Sequence, residues 1–113
     1  MNKQSSEKRI IKVYRQGDVN LIKVDEPKVF DEEIKADNGS TILAYGEVTN
    51  HAHRIPATHA KQFKLGGKEY VKVTKPTQLK HEEHFPINLP VGTYEKVIAR
   101  EYDKIGGERK VVD

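Results

Sequence analysis

The sequence predicts an all-β fold: a small single-domain barrel or sandwich of short antiparallel strands. Three observations carry this. Runs rich in β-branched and aromatic residues recur roughly every eight to twelve residues. Glycine, asparagine and proline turn formers stand between them. No stretch keeps apolar residues at the helical period.

The elements follow in order. Residues 1–9, MNKQSSEKR, are polar and read as a flexible tail, leaving 10–113 as one β domain. Residues 10–14 (IIKVY) and 18–24 (DVNLIKV) are strand-like and flank a turn at RQG, 15–17. In the second run Val19 and Leu21 share one face and Ile22 and Val24 the other, so both faces are expected to be partly covered. Residues 25–40 are acidic, with a short helical turn near 30–35, and end in the turn former Asp37-Asn38-Gly39-Ser40. Residues 41–49 (TILAYGEVT) read as a strand. The runs 61–65 (KQFKL) and 69–75 (EYVKVTK), around Gly66-Gly67, read as a hairpin. A short strand at 77–81, a turn at LPVG (89–92), a long alternating strand at 93–103 and a closing strand at 109–113 complete the chain. On the long strand Tyr94, Ile98 and Tyr102 share a face with Lys96 and Arg100. That pattern suits core packing with lysine and arginine stems reaching to water.

Composition excludes several function classes. The chain has 113 residues and no cysteine, so a disulfide framework, a thiolate metal site and a cysteine nucleophile are ruled out. A chain of this size buries enough surface to fold without a metal. No apolar run reaches bilayer length, so no membrane association is expected. The polar start is unlike a secretory signal, which predicts a cytoplasmic protein. No serine–histidine–aspartate pattern or phosphate-cradling glycine loop is visible.

Net charge is only +3, but it is unevenly spread. Residues 54–80 carry seven cations against Glu69 alone, a local charge of +6, whereas residues 25–37 sum to −4. A basic face of this kind can meet nucleic acid, with Arg54, Lys61, Lys64, Lys72 and Arg100 as its candidate contacts. It equally suits a lysine-coated surface that keeps strand edges soluble, since it lacks an arginine cluster and an aromatic platform.

The histidines are the informative feature. Four of five sit in two short motifs: His51 and His53 in TNHAH, His81 and His84 in KHEEH. On a strand, side chains two apart share a face about 7 Å apart at the backbone, so both imidazoles can converge on one ion. If 45–53 were extended throughout, Glu47 would join them. Residues three apart point apart on a strand but together on a tight turn. HEEH therefore presents both histidines from a turn, or alternates His81 with Glu83 against Glu82 with His84. A lone histidine is usually a half-exposed side chain with one hydrogen bond, which is the reading for His59. Two clustered motifs point further. A metal site with His51, His53, His81 and His84 as ligands is the first hypothesis, and such donors suit zinc, iron, nickel, copper or manganese. With an open position, Glu82 or Glu83 could act as base in a metal-dependent hydrolase. A closed four-histidine site would be structural or regulatory. The second hypothesis is a nucleic-acid-binding module or a metal-independent ribonuclease, with paired histidines as acid and base and Arg54 or Arg100 on the phosphate. The third is a non-catalytic assembly protein, acting as a homo-oligomer or within a larger complex. The Gln16-Gly17-Asp18 corner reads as a structural turn or bulge.

Four stretches, YRQGDV (14–19), LAYGEVTNHAH (43–53), LKHEEHFPINLPVGTY (79–94) and REYD (100–103), resemble an uncharacterised family of small bacterial and phage-encoded proteins. The resemblance covers most of the chain and implies that the two histidine motifs belong together. It brings no activity with it. Asn50 departs from the pattern, standing where the family has glycine. A turn retained there would break the alternation linking Glu47 to the histidines.

Overall fold

The computed structural model describes residues 12–46 and 51–99. Among the described residues there are ten strands: β1 (Val13–Gln16), β2 (Val19–Val24), β3 (Glu32–Ile34), β4 (Ser40–Tyr45), β5 (Ala52–Pro56), β6 (Ala60–Leu65), β7 (Lys68–Val73), β8 (Thr77–Leu79), β9 (Ile87–Leu89) and β10 (Gly92–Ile98). One layer is a six-stranded antiparallel sheet in the order β1-β2-β10-β7-β6-β3. The pairs β4-β5 and β8-β9 are joined by backbone bonds in both directions between Arg54 and Lys80, each 2.9 Å, and form the second layer. The sheets stay open, so the architecture is sandwich-like and not a closed barrel.

Alternation places the core between the layers. Val19 and Leu21 of β2, Val71 and Val73 of β7 and Tyr94 and Ile98 of β10 point inward from the large sheet. Leu43, Ile55, Leu79 and Leu89 answer them from the four strands of the smaller layer. Tyr94 packs edge-on against Tyr14 at 5.6 Å and donates its hydroxyl to the Pro90 carbonyl at 2.7 Å. Burial pushes its hydroxyl up to about 12. Ile22 and Val24 are half-buried on the opposite face, as the alternation requires.

Polar groups also cross between the layers. Thr41 donates to the Ala60 carbonyl at 2.7 Å, and the Gln62 amide donates to the Ile42 carbonyl at 2.7 Å. Lys96 does not reach to water as its stem pattern suggests. Its head is only 9 % exposed and ion-pairs with Glu69 at 2.6 Å. It also donates to the Leu43 carbonyl at 2.8 Å and to Gln62 Oε1 at 3.0 Å. Lys96→Met is expected to cost about 2 kcal/mol, because two oxygens facing the core lose their donor. Urea denaturation reads this directly, and an unchanged midpoint would contradict it.

Several boundaries differ from the sequence reading, and β5 and β9 are strands it did not place; three differences bear on the site and its surroundings. Residues 32–34 are a strand and not part of a helical turn, because Glu33 pairs with Phe63 on β6. Phe30 anchors that edge by stacking on Phe63 at 4.5 Å. The β1-β2 turn lies at Gly17-Asp18, since Arg15 and Gln16 are still paired in the strand. The strand at 41 ends at Tyr45 instead of running on, because Tyr45 pairs antiparallel with Ala52. The Gly66-Gly67 hairpin is as expected, both residues having positive φ (58° and 83°) as a tight two-residue turn demands. The expected tail, the 109–113 strand, Tyr102 and the REYD stretch fall outside the described residues.

Candidate metal centre

β4 and β5 position the first histidine pair. Ala44 faces His53, Tyr45 faces Ala52, and the Gly46 N–H donates to the His51 carbonyl at 2.8 Å. His51 enters β5 and His53 lies two residues on, so both rings project to one side. The chain reverses between Tyr45 and Ala52, so Tyr45 and the histidines do not share one extended strand. Glu47 itself lies outside the described residues.

The Arg54–Lys80 backbone pair brings the second motif alongside the first. Past Lys80 the chain leaves the strand, and HEEH forms the tight bend and not the alternating strand. Glu82 fastens that bend to β5. Its carboxylate accepts from the Ala52 N–H at 2.9 Å and ion-pairs with Arg54 at 2.7 Å. Within the bend the Glu83 N–H donates to His81 Nδ1 at 3.0 Å. The four rings then form one continuous cluster. His81 stands 4.4 Å from His53, 4.6 Å from His84 and 5.7 Å from His51, centroid to centroid, and His53 stands 5.7 Å from His84.

The β1-β2 turn packs over the cluster, which sequence reasoning missed. Gln16 is buried, and its amide nitrogen donates to the carbonyls of Leu79 at 3.0 Å and Phe85 at 2.9 Å. Those two acceptors fix the amide's orientation, so its Oε1, 2.8 Å from His53 Nδ1, must accept from an Nδ1–H. The Nε2 of His53, its other ring nitrogen, faces Asp18 at 3.8 Å. Gly17 has φ 60°, and a β-carbon there would sit 2.9 Å from His84 Nε2 and 3.2 Å from His53 Cε1. Only glycine lets the turn approach both rings. The available signal was the polar Gln-Gly-Asp corner between two strand-like runs, repeated in the family resemblance.

Two overlapping groups could hold an ion. His53, His81 and His84 bring one ligand atom each to within 4.8 Å of one another, and so do His51, His81 and Glu82. The first group is the deeper, since His53 is 4 % exposed. Burial, and next the neighbouring His84, hold the His81 ring below the usual histidine range, with His51 adding to them and Glu82 and Glu83 pulling the other way. The ring is thus neutral near pH 7, the state a metal needs. Glu82 is held down to about 2, first by the Ala52 N–H and then by Arg54.

The sign of the His81 shift fixes a pH dependence. Its folded value lies below the ordinary 6.5, so its contribution to stability is complete above that value and declines as pH falls through it. The thermal midpoint of metal-free protein is expected to drop between about pH 7.5 and 5.5, and to drop less in His81→Gln. Equal slopes for the two proteins would contradict this.

Four of the five basic candidates lie among the described residues. Arg54 on β5 is engaged by Glu82. Lys61 on β6 and Lys72 on β7 are register partners. Lys61 faces Glu33 at 3.9 Å and Lys72 faces Glu26 at 2.9 Å. Lys64 lies opposite Glu32 and Glu69 in its sheet. Three residues of the acidic segment, Glu26, Glu32 and Glu33, thus lie beside Lys72, Lys64 and Lys61 of the basic strands. Arg100 falls outside the described residues. His59 sits on the β5-β6 turn with its Nδ1 2.9 Å from the Thr77 hydroxyl. Among the described residues no helix is long and apolar enough to cross a membrane.

Comparison with curated proteins and with solved structures gives no significant match. Residues 15–99 match the family described as Domain of unknown function (DUF8820). That span includes all four clustered histidines and the Gln16-Gly17-Asp18 turn above them. The chain belongs to the DUF8820 family.

Proposed function

We propose that this is a metal-binding protein whose ion is held by His53, His81 and His84, with His51 and Glu82 beside them. The observation that carries the reading is the Gln16–His53 hydrogen bond. Histidines that bind metals almost always donate their second ring N–H to a fixed acceptor, which sets the tautomer and aims the other nitrogen. Gln16 does this from a buried position.

The donor set favours a borderline divalent ion. Neutral imidazoles suit zinc, nickel and iron better than calcium or magnesium, and manganese is the weakest binder of the group. Two nitrogens on tetrahedral zinc stand roughly 3.3 Å apart, so the three atoms need to close by at most about 1.5 Å. His81 also exchanges a bond on binding. Its Nδ1 accepts from the Glu83 N–H, so a neutral ring carries its proton on Nε2. An ion would take Nδ1 in place of that N–H, or bind Nε2 once the ring proton has moved to Nδ1, and in both cases the Glu83 N–H loses this acceptor.

Hydrolase chemistry is the finer reading. It needs a base near the ion, and the two carboxylates differ. Glu82 is occupied by Ala52 and Arg54 and is a poor proton acceptor near neutral pH. Glu83 is two-thirds exposed and 3.6 Å from His51 Nδ1, so it is the better candidate. If the protein turns over a substrate, Glu83→Gln is expected to lower the rate by about 100-fold and leave metal content intact.

Thermal denaturation with and without added zinc tests the binding reading. At a free zinc concentration 100-fold above Kd, stabilisation of about 2.7 kcal/mol is expected in wild type and almost none in His81→Ala. Equal behaviour of the two proteins would overturn it.

A further inference from the structure

The two ligand groups share His81, and that sharing has a mechanistic consequence. We infer that the cluster holds one ion at a time in two successive positions: an outer capture position formed by His51, His81 and Glu82, and an inner resting position formed by His53, His81 and His84. The inference rests on the metal-binding reading above.

Four observations support it. His81 belongs to both groups, and a neutral imidazole has only one unprotonated ring nitrogen to give an ion. Two ions therefore cannot occupy both groups at once. Among the described residues, no group within the 4.8 Å limit unites His51 with His53 or His84, so one ion does not engage all four rings in this arrangement. The groups also differ in access at one member: His53 is buried where His51 is half-buried, while each group has one exposed member, His84 and Glu82. Finally, they differ in strength. The Glu82 carboxylate must share its oxygens with the Ala52 N–H and the Arg54 guanidinium, which weakens it as a ligand. The inner group has three imidazoles, one of them preset by Gln16.

Transfer inward then needs little motion. The ion keeps His81 while His51 and Glu82 are exchanged for His53 and His84. The exposed Glu83 carboxylate, 3.6 Å from His51 Nδ1, adds attraction for a cation at the entrance. The expected role of His51 is thus kinetic: it governs how fast the ion loads and contributes little to how tightly the ion is finally held.

Stopped-flow binding of Co2+ to the full chain, followed by its visible absorption, tests this beside equilibrium titration. His51→Ala is expected to load about tenfold more slowly with its final affinity changed less than about threefold. His53→Ala is expected to lose at least about 30-fold in affinity. Far-UV circular dichroism confirms that each variant is folded, and His51→Gln serves in place of His51→Ala should the latter unfold. Three results would overturn the inference while leaving metal binding intact: a His51 variant that loads at the wild-type rate, one that loses as much affinity as His53→Ala, or two Co2+ ions bound per chain. Failure of wild type to bind Co2+ at all would instead sink the metal-binding reading itself.

Discussion

Gln16→Leu is expected to destabilise the protein by about 3 kcal/mol and to weaken zinc binding by about 10- to 100-fold. The side chain is buried and makes three hydrogen bonds, donating to the Leu79 and Phe85 carbonyls and accepting from His53. Leucine fills similar space but leaves those three groups without this partner, at about 1 kcal/mol each. The effect on metal has a separate origin, because His53 loses the acceptor that fixes its tautomer. Gln16→Glu separates the two effects. A carboxylate still accepts from His53 Nδ1–H, so zinc affinity is expected to stay within about threefold of wild type. Its other oxygen faces two carbonyls, so stability falls at least as far as in Gln16→Leu. Chemical denaturation and zinc titration of both variants check this. A glutamate variant as poor in zinc binding as the leucine variant would show that Gln16 acts only through the fold.

The second large effect is expected at Gly17. Gly17→Ala places a side chain on a residue with φ 60° and drives its β-carbon to 2.9 Å from His84 Nε2. The backbone alone costs about 1–2 kcal/mol, and either the turn or the His84 ring must move. Gly39 supplies the control. It has φ 79° with nothing within 4 Å of a β-carbon, so Gly39→Ala carries the backbone strain without the clash. Both variants are expected to lose the backbone cost, Gly17→Ala the clash besides, and only Gly17→Ala is expected to lose zinc affinity, by about tenfold or more. If both bind zinc alike, the turn does not shape the site.

Much of the architecture was legible because it is local. The Gly66-Gly67 hairpin and the Asn38-Gly39 turn announce themselves by residues that tolerate positive φ. The two faces of β2 follow from its alternation. The grouping of His51 with His53 follows from strand period, and the resemblance tied both motifs together. What was not legible depends on distant pairing. Residues 32–34 carry no strand signal of their own and are extended because they pair with β6, where Phe63 lies opposite Glu33. Lys96 reads as a stem reaching to water until β4 and β6 supply oxygens above it. Gln16 meets acceptors 63 and 69 residues away, so no spacing rule connects it to His53. The choice between bend and strand for HEEH was likewise settled by contacts outside the motif, from Ala52 and Arg54 to Glu82.

The central claim is that the clustered imidazoles bind a metal ion, and metal content tests it most directly. Elemental analysis would compare tag-free wild type with His81→Ala, since His81 belongs to both ligand groups. Both proteins would be equilibrated with zinc, nickel, iron and manganese salts and then desalted. The account predicts close to one transition-metal ion per wild-type chain and almost none in the variant. A wild-type protein that retains none of these metals, or a variant that retains as much as wild type, would contradict it.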